Sequence, residues 1–274
     1  VPWSTTSDIA EFVAAASDFL STRPVEHTPL LTEADYLSRR PQPEADQSYG
    51  WWTDGSGAVD GAFLRAPRHP PILTPMPAAA AAGLVDVLDA RQGVGCDVTS
   101  VDDVLEAWER QGIHLAPRHR LVIHRLDALR PQPLPPGEPR TAQPSDKALL
   151  DGWFDDLMAA SPGDTSDREY VVDDPLADGR IVLWEVDGEP RAMAGWTRVL
   201  HGMTRVSAVY APSGDPRIET AVLAAASEQA ASTATDVLVL AGLADRDGIA
   251  RLAALGYRAV RERVVLAPDP DVSS

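Results

Sequence analysis

The sequence predicts an α+β protein made of two similar domains in tandem, each a mostly antiparallel sheet flanked by helices. Three observations carry this. A proline-rich segment, RPQPLPPGEPRTAQP from Arg130 to Pro144, divides the chain nearly in half and holds too much proline for a helix or a central strand. The order helix, hairpin, helix, strand can be read on both sides of it. The hairpin of the first half, W-T-D-G…A-V-D-G-A-F-L-R, also stands against W-E-V-D-G…A-M-A-G-W-T-R in the second. The expected domains are residues 1-130 and 145-274, with 131-144 as the linker. Because Asp-Gly turns are common, a single α+β domain with a decorated front half is the alternative.

In the first half, Ile9, Phe12, Val13, Ala16 and Leu20 recur at helical spacing and give a helix over Asp8 to Leu20. A poorly patterned stretch follows. SYGWW and AVDGAFLRA then flank the turn-forming TDGSG and read as two antiparallel strands. Pro77 suits the first turn of an alanine-rich helix running to about Ala90. Ser100 with Asp103 resembles a capping box, ahead of a stripe of Val101, Val104, Leu105 and Trp108 that Gly112 can end. HRLVIHRL closes this half as a strand.

The second half opens with Ser145 or Asp146 as a helix cap and Leu150, Trp153, Phe154 and Leu157 on one face. RIVLWEV and EPRAMAGWTRV meet at Asp187-Gly188, a dipeptide that accepts the positive φ of a type I′ turn. MTRVSAVYA is a third strand and leads into a helix from about Arg217 to Ser232. The strand VLVLAG comes next, then a short helix capped by Asp245 and stopped by Gly256, then the strand RERVVLA.

A formal charge of -17 and a pI near 4.6 repel phosphate backbones, and no basic patch offsets them, so no nucleic-acid partner is expected. The single cysteine, Cys96, has no partner for an internal disulfide and reads as a structural thiol. The apolar run from Ala78 to Leu88 is broken by Gly83 and Asp86, well short of a membrane span. VPWSTTSDIAEF lacks the basic start and apolar core of a secretory signal, so a cytoplasmic protein without membrane attachment is expected. His119 and His124 fall on opposite faces of their strand and cannot share a metal, so no metal site is expected. Trp51, Trp52, Trp184 and Trp196 read as core packing before a substrate cleft.

Three passages carry a family resemblance: the hairpin WEVDGEPRAMAGWTRV, the strand VSAVYAP, and LADRDGIARLAALGYRAV with its leucine-glycine-tyrosine ending. Through them the stretch from Gly179 to Ala267 resembles the GNAT superfamily of acyl-CoA-dependent N-acyltransferases, and the first half resembles a diverged amino-terminal repeat of its tandem members. The resemblance implies two GNAT-like domains and transfer of an acyl group from acetyl-CoA or another acyl-CoA to a small amine. It implies direct attack by the amine, with no covalent enzyme intermediate. It also places the cofactor along Val209, Tyr210 and Ala211 at the strand end and Arg217, Ile218, Glu219 and Thr220 at the helix start.

Against that pattern the loop is degenerate. APSGDPRIETAV has Arg217 as its one basic residue and Gly214 as its one glycine. Pro216 removes an N–H, Glu219 stands where glycine would admit a phosphate, and Asp215 adds negative charge, so weak or lost CoA binding is expected. The alternative is a helix-capping turn without a ligand. Leu252 stands where the family carries a tyrosine general acid, and Asp245 replaces an asparagine and reads as a cap. Glu185 is either a base pointing into the cleft or a solvent-facing strand residue; Tyr210 is expected to contribute packing and backbone before its hydroxyl. The expectations are therefore an N-acyltransferase-like protein, impaired or repurposed, and as the alternative a non-catalytic small-molecule-binding or accessory protein.

Overall fold

The computed structural model describes residues 3–40, 46–67, 69–89, 93–161, 164 and 166–268. The first half runs β1 (Trp3–Thr6), α1 (Ile9–Thr22), α2 (Thr28–Ser38), β2 (Ser48–Thr53), β3 (Val59–Arg65), β4 (Ile72–Leu73), α3 (Ala78–Leu84), β5 (Val94–Asp97), α4 (Val101–Glu109) and β6 (Leu115–Leu126). The second runs β7 (Glu138–Thr141), α5 (Lys147–Ala160), α6 (Asp174–Ala177), β8 (Ile181–Val186), β9 (Glu189–Trp196), β10 (Met203–Tyr210), α7 (Pro216–Ala231), β11 (Asp236–Gly242), α8 (Arg246–Leu255) and β12 (Tyr257–Pro268). Apart from single tight or wide turns, the order β-α-α-β-β-β-α-β-α-β occurs twice. The protein is mixed α/β, with mostly antiparallel strands.

Two compact units result. One comprises Val1–Ile123, Gly242–Ala244 and the chain from Arg261 onward; the other comprises His124–Ala241 and Asp245–Val260. The units thus differ from the two halves of the sequence. Residues 124–130 and the proline-rich segment 131–144 fall in the second unit, while the end of β12 falls in the first because it pairs antiparallel with β5, Arg263 opposite Asp97.

In the first unit β1, β2, β3 and β4 pair antiparallel in sequence order, and β4 meets β5 in parallel at Ile72 and Gly95. α1 starts where expected, with the Asp8 carboxylate accepting from the Ala10 N–H at 2.8 Å, and buries Phe12, Ala16, Phe19 and Leu20. The poorly patterned stretch contains α2, whose Leu30, Leu31, Ala34, Tyr36 and Leu37 are all buried. A helix covered on most sides shows no single stripe. Pro77 precedes α3 as its cap, and the helix ends at Leu84, earlier than expected; Ala90 lies outside the described residues. The expected Ser100 capping box does not form. The Asp97 carboxylate instead accepts from the Thr99 N–H at 3.0 Å, which starts a tight turn ahead of α4, and Ser100 Oγ accepts from the Met76 N–H at 3.3 Å.

The core of this unit gathers Trp3, Phe63, Leu73, Leu84, Val104, Trp108, Val264 and Leu266, each fully buried leucine or valine contributing about 2 kcal/mol. Cys96 lies in it, and burial pushes its thiol up to about 12, which leaves it unreactive. Behind the sheet, Arg263 is only 5% exposed, and its Nη2 donates to the carbonyls of Leu73 at 2.9 Å and Gly95 at 3.1 Å. These carbonyls belong to β4 and β5, so one guanidinium ties the parallel junction shut.

In the second unit β7 to β10 pair antiparallel in sequence order, and β10 meets β11 in parallel. Asp187 and Gly188 take φ of 55° and 78° at the β8–β9 turn, as the sequence required. Asp245 caps α8 by accepting from the Gly248 N–H at 2.9 Å, and Gly256 ends it at φ 101°. Before α5, a tight turn over Pro144–Asp146 is closed by Gln143, and Asp146 serves as the reciprocal acid of that capping box, one turn ahead of the expected role. Asp146 and Glu185 both bind Arg140, at 2.6 Å each. Glu185 is therefore an ion-pair partner, neither a base in a cleft nor a solvated strand residue.

Arg263→Ala strands two strand carbonyls and removes a positive charge near the buried Asp97, and is expected to cost about 3 kcal/mol in denaturant unfolding, with faster amide exchange in β4 and β5. His27, fully buried, donates from Nδ1 to the Leu20 carbonyl at 3.0 Å; burial first, then Arg23 and Arg263, hold its pKa below the ordinary value despite Leu20 and Glu26. The unfolded chain then binds the extra proton first, so stability should fall as pH drops below about 6.5, and His27→Gln should flatten that dependence in urea midpoints measured across it.

Candidate functional site

The site-building feature of the second unit is the strand β10. Its pairing with β9 places Val206 opposite Trp196 and Ser207 opposite Gly195, but Tyr210 opposite Met193, one residue out of step. Ala208 takes φ 52° within this bulge. The extra residue reverses the alternation of faces: Val206 packs on the α7 side, and beyond the bulge Val209 and Ala211 do so, while Ala208 and Tyr210 turn to the α5 side. On its other edge β10 pairs with β11 only at Met203, Thr204 and Arg205, opposite Asp236, Val237 and Leu238. Val206–Tyr210 and Val239–Ala241 run on without pairing to each other. A splay opens between them.

On the α5 side, the Tyr210 ring meets Trp153 edge-on at 6.3 Å, and its hydroxyl donates to Asp156 Oδ2 at 3.4 Å. Partial burial, then the Asp156 charge, raise the phenol above its ordinary value, so it stays protonated. Nearby, Lys147 holds Asp151 and Asp173, and Arg168 holds Asp155, whereas Asp156 has no cation beside it among the described residues. Arg205 Nη2 donates to the Tyr170 hydroxyl at 2.7 Å, which fixes the wide turn Glu169–Asp173 against β10.

At the other end of the splay, α7 begins. Its backbone donors can be followed one by one. The Gly214 N–H reaches the Ala211 carbonyl at 2.9 Å, and the Asp215 N–H reaches Ser213 Oγ at 3.2 Å. Pro216 has none. The Arg217 N–H goes to Asp215 Oδ1 at 2.9 Å, and those of Ile218 and Glu219 go to the Asp215 carbonyl at 3.0 and 3.1 Å. The Arg217 guanidinium also folds back, donating from Nε at 3.1 Å and Nη2 at 2.8 Å to the same carboxylate. Its side-chain bond, then the Arg217 N–H, hold the Asp215 carboxyl below its usual range. Glu219 is committed to Arg251 on α8, and Thr220 Oγ1 to the Pro216 carbonyl at 2.6 Å. Ile218 packs against the core with Val209 and Ala211.

No protein-family model matches the sequence, and no curated protein is similar to it in sequence. Solved structures are similar. A GCN5-related N-acetyltransferase from Kribbella flavida is 18% identical with a TM-score of 0.58, over 92% of this chain and 96% of that one. An acetyltransferase of the GNAT family from Colwellia psychrerythraea is 9% identical with a TM-score of 0.59, over 98% and 99%. A GCN5-related N-acetyltransferase from Sphaerobacter thermophilus is 13% identical with a TM-score of 0.55, over 96% and 94%. The chain has the GNAT fold.

The GNAT fold implies acyl-CoA, and the residues present fit one end of it only. The unpaired edge of Val206–Tyr210 can meet the amides of a pantetheine arm. The start of α7 does not fit the diphosphate, because each of its amides from Gly214 to Glu219 is already bonded and a carboxylate sits at the helix end where an anion would be drawn. Leu252, where the resemblance led to the expectation of a general acid, is 3% exposed and packed in the core, and its side chain has no proton to give. The residues read from the sequence, Val209 to Ala211 and Arg217 to Thr220, do lie at the two ends of one strand-to-helix connection. Sequence reasoning missed the bulge at Ala208 and the carboxylate of Asp156. The spacing of Val206 and Val209, three apart in a strand, was the available signal for the first.

Of the four hairpin tryptophans, Trp52, Trp184 and Trp196 are buried. Trp184 also edges a groove of about 760 Å³ lined by Leu126, Leu129, Ala225, Glu228 and Val237. His119 is exposed and His124 buried on β6. Among the described residues no helix is long and apolar enough to cross a membrane.

Asp215→Ala should fray the first turn of α7, seen as faster amide exchange at Arg217. The wild-type carboxyl has a depressed folded pKa, so its capping is present above the ordinary carboxylate range and lost as pH falls through the folded value. Acid should therefore reproduce the fraying in the wild type and add nothing in the variant.

Proposed function

We propose that the second unit transfers an acyl group from a thioester to a small, positively charged amine. The observation that carries this reading is the splay: β10 and β11 part after Arg205 and Leu238, and the bulge at Ala208 turns Tyr210 toward α5 at its rim. An extended acyl thioester arm can lie along the free strand edge, with its reacting carbon brought to the rim. The acetyltransferase names of the similar structures support the same chemistry.

At the rim, Asp156 is a carboxylate with no cation beside it among the described residues, and it accepts from the Tyr210 hydroxyl. It suits an ammonium group, and the overall charge of -17 draws cations toward it. Holding the amine in place is what this chain's residues contribute; no side chain at the Leu252 position shares the proton. That absence, with the closed start of α7, favours a second reading in which the cleft binds the amine without acylating it.

Calorimetry and product detection with propylamine, putrescine and spermidine, each with an acetyl thioester, separate the two. Amide formation that needs both substrates is expected, and Asp156→Asn should raise the amine KM about tenfold with little change in kcat. Amine binding with no product supports the second reading. An amine KM unchanged by Asp156→Asn removes Asp156 from the site.

A further inference from the structure

We infer that the donor in this cleft is recognised through its acyl-pantetheine arm alone, without help from a nucleotide diphosphate; this rests on the acyl-transfer reading above. The geometry of α7 carries the inference. A helix start binds phosphate because its first amides lack partners and its dipole is positive there. Here the Asp215 side chain takes the Arg217 amide, its carbonyl takes those of Ile218 and Glu219, and Pro216 offers none. The carboxylate thus occupies the anion's place from within the chain.

Arg217 does not compensate. Its guanidinium is bound twice to Asp215, and freeing it for a phosphate would leave that carboxylate facing the phosphate unpaired. Glu219 adds a second acid on the next turn, neutralised by Arg251 and so unable to release that arginine without exposing its own charge. A diphosphate would have to displace these bonds and then sit beside two carboxylates. Nothing comparable opposes the arm. Pantetheine is uncharged and presents two amides, and the unpaired edge of Val206–Tyr210 offers alternating N–H and C=O groups to them.

The transfer itself balances without the nucleotide. The ammonium first gives one proton to solvent; the neutral amine nitrogen then bonds to the thioester carbonyl carbon, the C–S bond breaks with its electron pair going to sulfur, and the second proton lost from nitrogen ends on the departing thiol. An amide and free pantetheine result.

The test compares acetyl-CoA with acetyl-pantetheine as donors to the three amines, using the full chain. The two kcat/KM values are expected to agree within about threefold, with millimolar ADP causing no inhibition. Asp215→Asn with Pro216→Ala keeps a capping side chain but removes the charge and restores an amide. It should improve acetyl-CoA about tenfold while leaving acetyl-pantetheine unchanged. A wild-type preference for acetyl-CoA of about a hundredfold, or inhibition by ADP, overturns the inference and leaves acyl transfer standing. A double variant that changes neither donor also overturns it, because the closed helix start would then not be the reason. No amide from either thioester overturns both.

Discussion

One more residue on β10 than on β9, between Ser207 and Tyr210, reverses which side chains face α7. Before it, Val206 lies in the core cluster that holds Ala221 and Val222 of that helix; after it, Val209 and Ala211 do. Without the bulge, Tyr210 would point into the α7 core and Ala211 toward α5. With it, a phenol and a carboxylate are set at the rim of the opening, while the core behind stays filled with small residues. The same distortion coincides with the loss of pairing to β11, since a strand that bends at an extra residue cannot stay parallel to a straight neighbour. Opening and rim come from one departure from regular geometry.

What the opening can admit is then decided at the start of α7, where two uses of a helix end compete. Its amides can hold an external anion or a capping side chain, and each amide serves once. Asp215 takes the second course and enlists Arg217, the residue otherwise available to neutralise a phosphate. The local result is a well-capped helix. The functional result is that affinity for a ligand has to come from the strand edge and the rim.

Much of this was legible in the sequence and some was not, for identifiable reasons. Strands and hairpins were readable because Asp187-Gly188 demands one turn and the flanking runs alternate. The cap at Asp245 was readable because a short acidic side chain has a local partner two or three residues on; Asp8 and Asp215 make the same kind of bond but were not read as caps. α2 escaped because burial on most sides erases periodicity, and the Ser100 cap failed because Asp97, three residues earlier, competes for the same turn. Glu185 was misjudged because its partner Arg140 is distant in sequence, and no local pattern marks a cross-strand ion pair. Asp156 was invisible for the same reason: its role depends on Tyr210, which only the bulge brings round.

The two units, each considered alone, show what a parallel junction requires in this topology. In both, an antiparallel run of strands ends against a parallel neighbour reached through a helix. Such a junction exposes carbonyls and amides wherever the strands part, and those groups must be satisfied. The first unit does so from within: Arg263 donates to one carbonyl on each strand, and the charge of the buried Asp97 offsets part of the cost of burying its guanidinium. Among the described residues the second unit shows no such guanidinium across Val206–Tyr210, and its strand edge is left for solvent or a ligand. A junction sealed by a buried cation can only be structural; an unsealed one retains unpaired backbone groups, and those groups are what makes the second unit the place to look for chemistry.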